Sequence, residues 1–171
     1  SRTKNLSLNE VTNTTPLSYL IINGEKKKVS SFSFINQNGK TITNEDYIGK
    51  VFLLEFFFTT CTTICPIMNT NLVHIQNSFT SFPDFGIASF TINPEFDTSE
   101  VLKIYAKENG ITNPNWNLMT GERRDIYKLA NDGFNLYTAA SPDFVDGFEH
   151  SGYFAIIDKE GYIRSRVDPV S

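Results

Sequence analysis

Only two of the chain's 171 residues are cysteine and only two are histidine. That scarcity excludes a disulfide-stapled scaffold and leaves a lone close cysteine pair, which speaks of chemistry more than of stapling. Long apolar runs are missing too. The longest, Val51 to Phe58, is interrupted by Glu55 and falls far short of the about 20 apolar residues that a membrane-crossing helix needs. Positive charge is in deficit, with 15 Lys and Arg against 19 Asp and Glu and a formal net charge of -4. No long-range field therefore draws the chain to phosphate backbones or anionic lipid, and nucleic acid is not expected as a partner. The first residue is Ser with no basic and apolar signal segment after it, so a targeting or anchoring segment is expected to be missing from this sequence.

Aromatic residues are abundant: fifteen Phe and seven Tyr within a 40% hydrophobic composition predict an aromatic core. Residues 1 to 18, rich in Asn, Thr and Ser, cannot bury enough surface to offset ordering and are expected to be a leader or linker. Residues 19–171 are expected to form a single domain. From Tyr19, short β-branched and aromatic runs alternate with the turn pairs Asn23-Gly24 and Asn38-Gly39, which predicts two hairpins. Lys26, Lys27 and Lys28 are expected to be a solvated edge that discourages strand pairing.

Val51 to Phe58 reads as a buried central strand. Ile64, Met68, Leu72, Ile75 and Phe79 then recur at helical spacing. Phe85 to Ile92 predicts a second buried strand and DTSEVLKIYAKENG a helix, with Asp97 and Glu100 as a capping box and Gly110 as its stop. WNLM is a short strand, ERRDIYKLAND a helix, and YFAIID with YIRSRV a terminal antiparallel hairpin. The order implies an α/β fold: a mixed central sheet flanked by helices, with N-terminal β-hairpins and a C-terminal β-hairpin.

Both cysteines lie in FFFTTCTTICPIM, at the junction of the central strand and the first helix. If the segment is helical, Cys61 and Cys65 share a face with Cβ atoms about 5 to 6 Å apart. That spacing suits a shared metal, a redox pair or, with adjustment, a disulfide. A helix N-terminus is expected to lower the thiol pKa, and Pro66 is tolerated in a first turn. A third ligand has two candidates. His74 points away from the stripe of Leu72 and Ile75 and reads as a surface histidine. His150, in GFEHSG before a strand, is open between ligand and loop histidine. Two thiolates and one imidazole form a small soft site that suits copper and, with a water, zinc. Glu55, a carboxylate inside an apolar strand, is expected to be partly solvated or paired to Lys50 or an arginine.

The ordered set of FFFTTCTTICPIM, TINPEFDTSEVLKIYAKENG, WNLMTG and EHSGYFAIIDKEGYIRS resembles the Sco/SenC copper-chaperone family over roughly residues 30 to 167. The resemblance implies a thioredoxin-like fold and copper ligands at Cys61, Cys65 and His150. It also implies delivery of Cu(I) or Cu(II) to the Cu-A-bearing subunit of cytochrome c oxidase or another copper-receiving protein. The expected location is the periplasmic or an equivalent extracytoplasmic side, held to the membrane only through an anchor absent from this chain. The chain departs from the family's frequent residues at Glu149 and Asn93, where Asp is common, and at Thr62, where Pro is common. Two functions follow: a metallochaperone whose exposed site passes copper by ligand exchange, or a thiol-disulfide oxidoreductase using Cys61 and Cys65 as a catalytic redox pair on a copper-receiving partner. Against the second, thioredoxin-type oxidoreductases use C-x2-C, and FEHSG lacks their proline.

Overall fold

A computed structural model describes residues 18–62, 65–132 and 154–167. The proposed leader through residue 17, and His150 with Glu149, lie outside the described residues. The first hairpin pairs β1 (Ile21–Ile22) with β2 (Glu25–Lys26). Its turn uses Asn23 at φ 52 and Gly24 at φ 81, the left-handed pair that a two-residue hairpin loop demands. The second pairs β3 (Ser33–Asn36) with β4 (Thr41–Thr43). Then come β5 (Val51–Phe57), α1 (Cys65–Ser78), β6 (Phe85–Thr91), α2 (Ser99–Glu108), β7 (Trp116–Thr120), α3 (Arg123–Asn131), β8 (Phe154–Ile157) and β9 (Ile163–Val167).

Seven strands form one mixed sheet in the order β4-β3-β7-β6-β5-β8-β9. Strands β5, β6 and β7 are mutually parallel, whereas β8 runs antiparallel to β5. The chain steps from β5 to β6 to β7 in one direction, so right-handed crossovers put α1 and α2 on the same face of the sheet. Central β5 is buried on both faces, which explains its unbroken apolar run. Phe56 packs on Phe90 of β6, and Phe32 and Phe34 meet Phe90 edge-on at 5.2 and 5.5 Å. On the α2 side, the Phe57 ring packs at a tilt against Tyr105, with centroids 5.6 Å apart.

Three local expectations are corrected. Lys26 and Lys28 are exposed, as expected of a solvated edge, but the segment does not discourage strand pairing. It docks against the last hairpin through Ile163 N–H to Lys27 O and a bridge from Lys28 to Tyr162, and Lys27 pairs with Asp132 at 2.7 Å. The buried side of α1 is not purely apolar: Asn69 and Gln76 join Cys65, Met68 and Leu72. Gln76 accepts from the Thr112 and Asn113 amides and donates to Gly110 O, so a buried side chain satisfies the backbone of the loop before β7. Finally, α2 is capped by Thr98, which accepts from Val101 N–H, and Asp97 is released for other contacts.

A candidate metal centre at the strand-to-helix turn

The parallel strands β5 and β6 end together, with Ile92 N–H donating to Phe57 O at 2.8 Å. Crossovers leave a parallel sheet at its carboxyl edge, so the segments that follow β5 and β6 start from the same end of the sheet. Cys61 closes a turn through its N–H to Phe58 O, and Cys65 is the first residue of α1. The two are not on one continuous helix. Instead the Cys61 Sγ accepts from the Cys65 N–H at 3.4 Å, so a thiol sits where a helix N-terminus usually receives a side-chain cap. Pro66 follows at the second helical position, where its missing N–H breaks no intrahelical bond.

Cys61 and Cys65 are not joined in a disulfide and both are buried, at 8% and 3% exposure, against the expectation of an exposed pair. Thr60, Thr62, Pro66 and Ile67 around them are exposed, which leaves the thiols one layer below the surface. The expected lowering of the thiol pKa is also corrected. The hydrogen bond with Cys61, then burial, and further the Glu55 charge push the Cys65 thiol well above its ordinary range, with a Phe58 backbone hydrogen bond pulling the other way. The helix end is outweighed because it contributes only fractional charge, whereas burial penalises a full one.

Two buried carboxyl groups lie beneath this turn. Glu55 is 4% exposed and accepts from Ser89 Oγ at 2.8 Å, and that hydroxyl in turn accepts from the Trp116 indole at 3.0 Å. Neither Lys50 nor an arginine reaches it among the described residues: Lys50 donates to Asp46 O. Burial therefore pushes the Glu55 carboxyl up to about 7. Asp97, fully buried, accepts from the Thr59 N–H at 3.0 Å, from Thr91 Oγ1 at 2.6 Å and from the Thr59 hydroxyl. It clamps the segment before Cys61 to the ends of β6 and α2. Burial raises the Tyr105 hydroxyl, with Glu55, Cys65, Cys61 and Asp97 adding in that order.

The Asp97 clamp was missed at the sequence level because DTSE fits a helix cap equally well. His74 is exposed, as its helical phase predicted. Asn93 binds Thr91 Oγ1 through its N–H and lies 3.5 Å from Arg123, which pairs with Glu95. The arrangement thus brings Cys61 and Cys65 together at one turn. The chemistry of the donors fits a soft cation: two sulfur atoms at one turn, with carboxyl groups beneath them. Among the described residues, no group of three or more His, Cys, Asp and Glu side chains forms a metal cluster.

A mixed sheet with a cysteine pair at the first strand-to-helix crossover defines a thioredoxin-like fold, and solved structures bear this out. A SCO1/SenC family lipoprotein from Bacillus anthracis superposes with TM-score 0.77 at 31% identity, covering 84% of this chain and 86% of that one. BsSco, a Sco-family cytochrome c oxidase assembly protein in which a disulfide switch is identified, gives 0.72 at 30%, covering 84% of each chain. Copper-bound ScoI of Arabidopsis thaliana gives 0.70 at 24%, covering 83% and 88%, and shares the fold. The family model described as SCO1/SenC matches residues 22–171. The chain belongs to the SCO1/SenC family.

Proposed function

We propose that this chain is a copper metallochaperone of cytochrome c oxidase assembly, delivering copper to the Cu-A centre. Cys61 and Cys65 bind the ion as thiolates and His150 completes the site. The observation that carries this reading is the pairing of two buried thiols at one turn, where the hydrogen bond with Cys61, burial and the Glu55 charge hold the Cys65 thiol well above its ordinary range. A nucleophilic thiol wants nearby positive charge. This surrounding disfavours free thiolate and favours a cation that displaces the thiol protons, so it suits metal capture better than disulfide exchange. The family's role in oxidase assembly and the copper and disulfide states of its structural neighbours support the same assignment.

In this reading residues 19–171 are the working domain, and a disulfide between Cys61 and Cys65 is the oxidised, copper-free state. The protein works on the extracytoplasmic side of a membrane, tethered upstream of Ser1 as its lipoprotein relative suggests. Titration of reduced protein with Cu(I) and Cu(II) tests it. One copper per chain is expected, abolished in Cys61→Ala and Cys65→Ala and weakened in His150→Ala. Unchanged affinity in His150→Ala removes the third ligand. Rapid turnover of protein disulfides that is indifferent to His150→Ala assigns an oxidoreductase instead.

A further inference from the structure

At the opposite end of the sheet from the cysteines, the turn between β3 and β4, the start of β7 and the loop before it line a cleft of about 540 Å³. That volume lies within the range of small-molecule sites, roughly 300 to 1,000 Å³. The cleft opens at Trp116, where β7 begins, whereas the cysteines follow the far end of β5. Seven strand residues separate the two ends, about 20 Å at the usual rise.

Its floor is a buried polar network. Asn36, at 4% exposure, donates one amide hydrogen to Asn117 Oδ1, and Asn117, at 7%, donates one to Tyr47 Oη, which donates onward to Ile87 O. A side-chain amide has two N–H donors. Each asparagine thus keeps a second donor with no partner among the described residues, at depths where buried donors are nearly always satisfied. The rim adds cations: Lys40, Lys103 and Lys107 line the cleft, and none has a carboxylate partner among the described residues. The one acidic side chain on the rim, Asp46, accepts from the Thr43 N–H. Solvated lysines are common on any surface. Three without carboxylate partners around buried spare amide donors, on a chain of net charge -4, give the site an excess of donors and positive charge over its single carboxylate.

We propose that this cleft binds a small multivalent oxyanion, a polycarboxylate or a phosphate, independently of the cysteine site. The spare Asn36 and Asn117 donors meet its oxygens, and Lys40, Lys103 and Lys107 neutralise its charge. Isothermal titration of the whole chain with citrate and, separately, with inorganic phosphate distinguishes the two sources. Saturable one-to-one binding of at least one is expected, weakening as salt screens the lysines. The double variant Lys103→Glu/Lys107→Glu, on the exposed side of α2, is expected to weaken it at least about tenfold with an unchanged thermal unfolding curve, since charge-assisted hydrogen bonds to the anion are replaced by like-charge repulsion. Asn117→Asp, which replaces the donor by an acceptor, is expected to abolish binding. Cys61→Ala is expected to leave it unchanged, which separates this site from the copper reading. Failure of both anions to bind at millimolar concentration overturns the proposal, as does binding that the lysine variant leaves intact or that Cys61→Ala removes.

Discussion

Glu55 shows most clearly how one residue's setting decides its behaviour. An isolated carboxyl in a strand buried on both faces is driven toward its neutral form, because the charged form loses its hydration. With a folded pKa of about 7 against an ordinary 4.5, the folded state keeps a proton that the unfolded state gives up. The stabilising contribution is fully present below about pH 4.5 and is lost as pH rises to about 7, a change on the order of 3 kcal/mol. Glu55→Gln keeps the acceptor for Ser89 and removes the ionisation. Its unfolding midpoint is expected to exceed that of the wild type at pH 8 and to match it more closely at pH 4.5, as measured by urea denaturation at the two values. Equal midpoint differences at both values would show that Glu55 does not change ionisation on folding. Its position in the apolar run was visible in the sequence, but Ser89, 34 residues away, becomes its partner only when β5 pairs with β6.

At the scale of elements, the turn that holds Cys61 depends on contacts between segments that are distant in the chain. Asp97, at the entrance to α2, carries three hydrogen bonds to Thr59 and Thr91. Asp97→Ala leaves the Thr59 amide without its acceptor and is expected to cost about 2 to 4 kcal/mol. In a folded sample the Cu(II)–thiolate absorption is expected to change, because Thr59 stands two residues before Cys61. A wild-type spectrum in Asp97→Ala would confine that residue to stability alone. A second strict contact lies between β7 and α3. A Cβ on Gly121 would stand 2.6 Å from Phe34 Cδ1, so Gly121→Ala must displace a ring packed on Phe90. Overpacking of this kind costs about 1 to 3 kcal/mol, readable as a lowered thermal midpoint, whereas Gly110→Ala adds a side chain into open space and is strained only through its φ of 72.

For the whole molecule, ligand linkage gives the prediction. If copper binds the folded, reduced chain as proposed, copper at about 100 times its dissociation constant is expected to add about 2.7 kcal/mol of apparent stability. The oxidised protein has no thiolate to offer and is expected to show no such shift. Calorimetric scans of both forms with and without copper measure the difference, and a shift of equal size in the oxidised form would move the metal away from Cys61 and Cys65. The cleft beyond β7 lies at the other end of the sheet, so citrate is expected to raise the midpoint equally in both redox forms.

By itself the sequence determined which segments become strands and helices, because hydrophobic period and turn residues are local. Thus Val51–Phe57, Phe85–Thr91 and Ser99–Glu108 appear where their patterns place them, and Cys61 and Cys65 stand at the strand-to-helix junction. The tertiary structure alone decided what surrounds those elements. It turned Asp97 from a helix cap into a clamp, docked the Lys26–Lys28 segment on the final hairpin, buried Glu55 without a cation, and raised a thiol that a helix end was expected to acidify. The first three depend on partners dozens of residues away, and the raised thiol on burial as well as on its neighbour Cys61. Desolvation and long-range hydrogen bonding act through space, and one segment read alone contains neither.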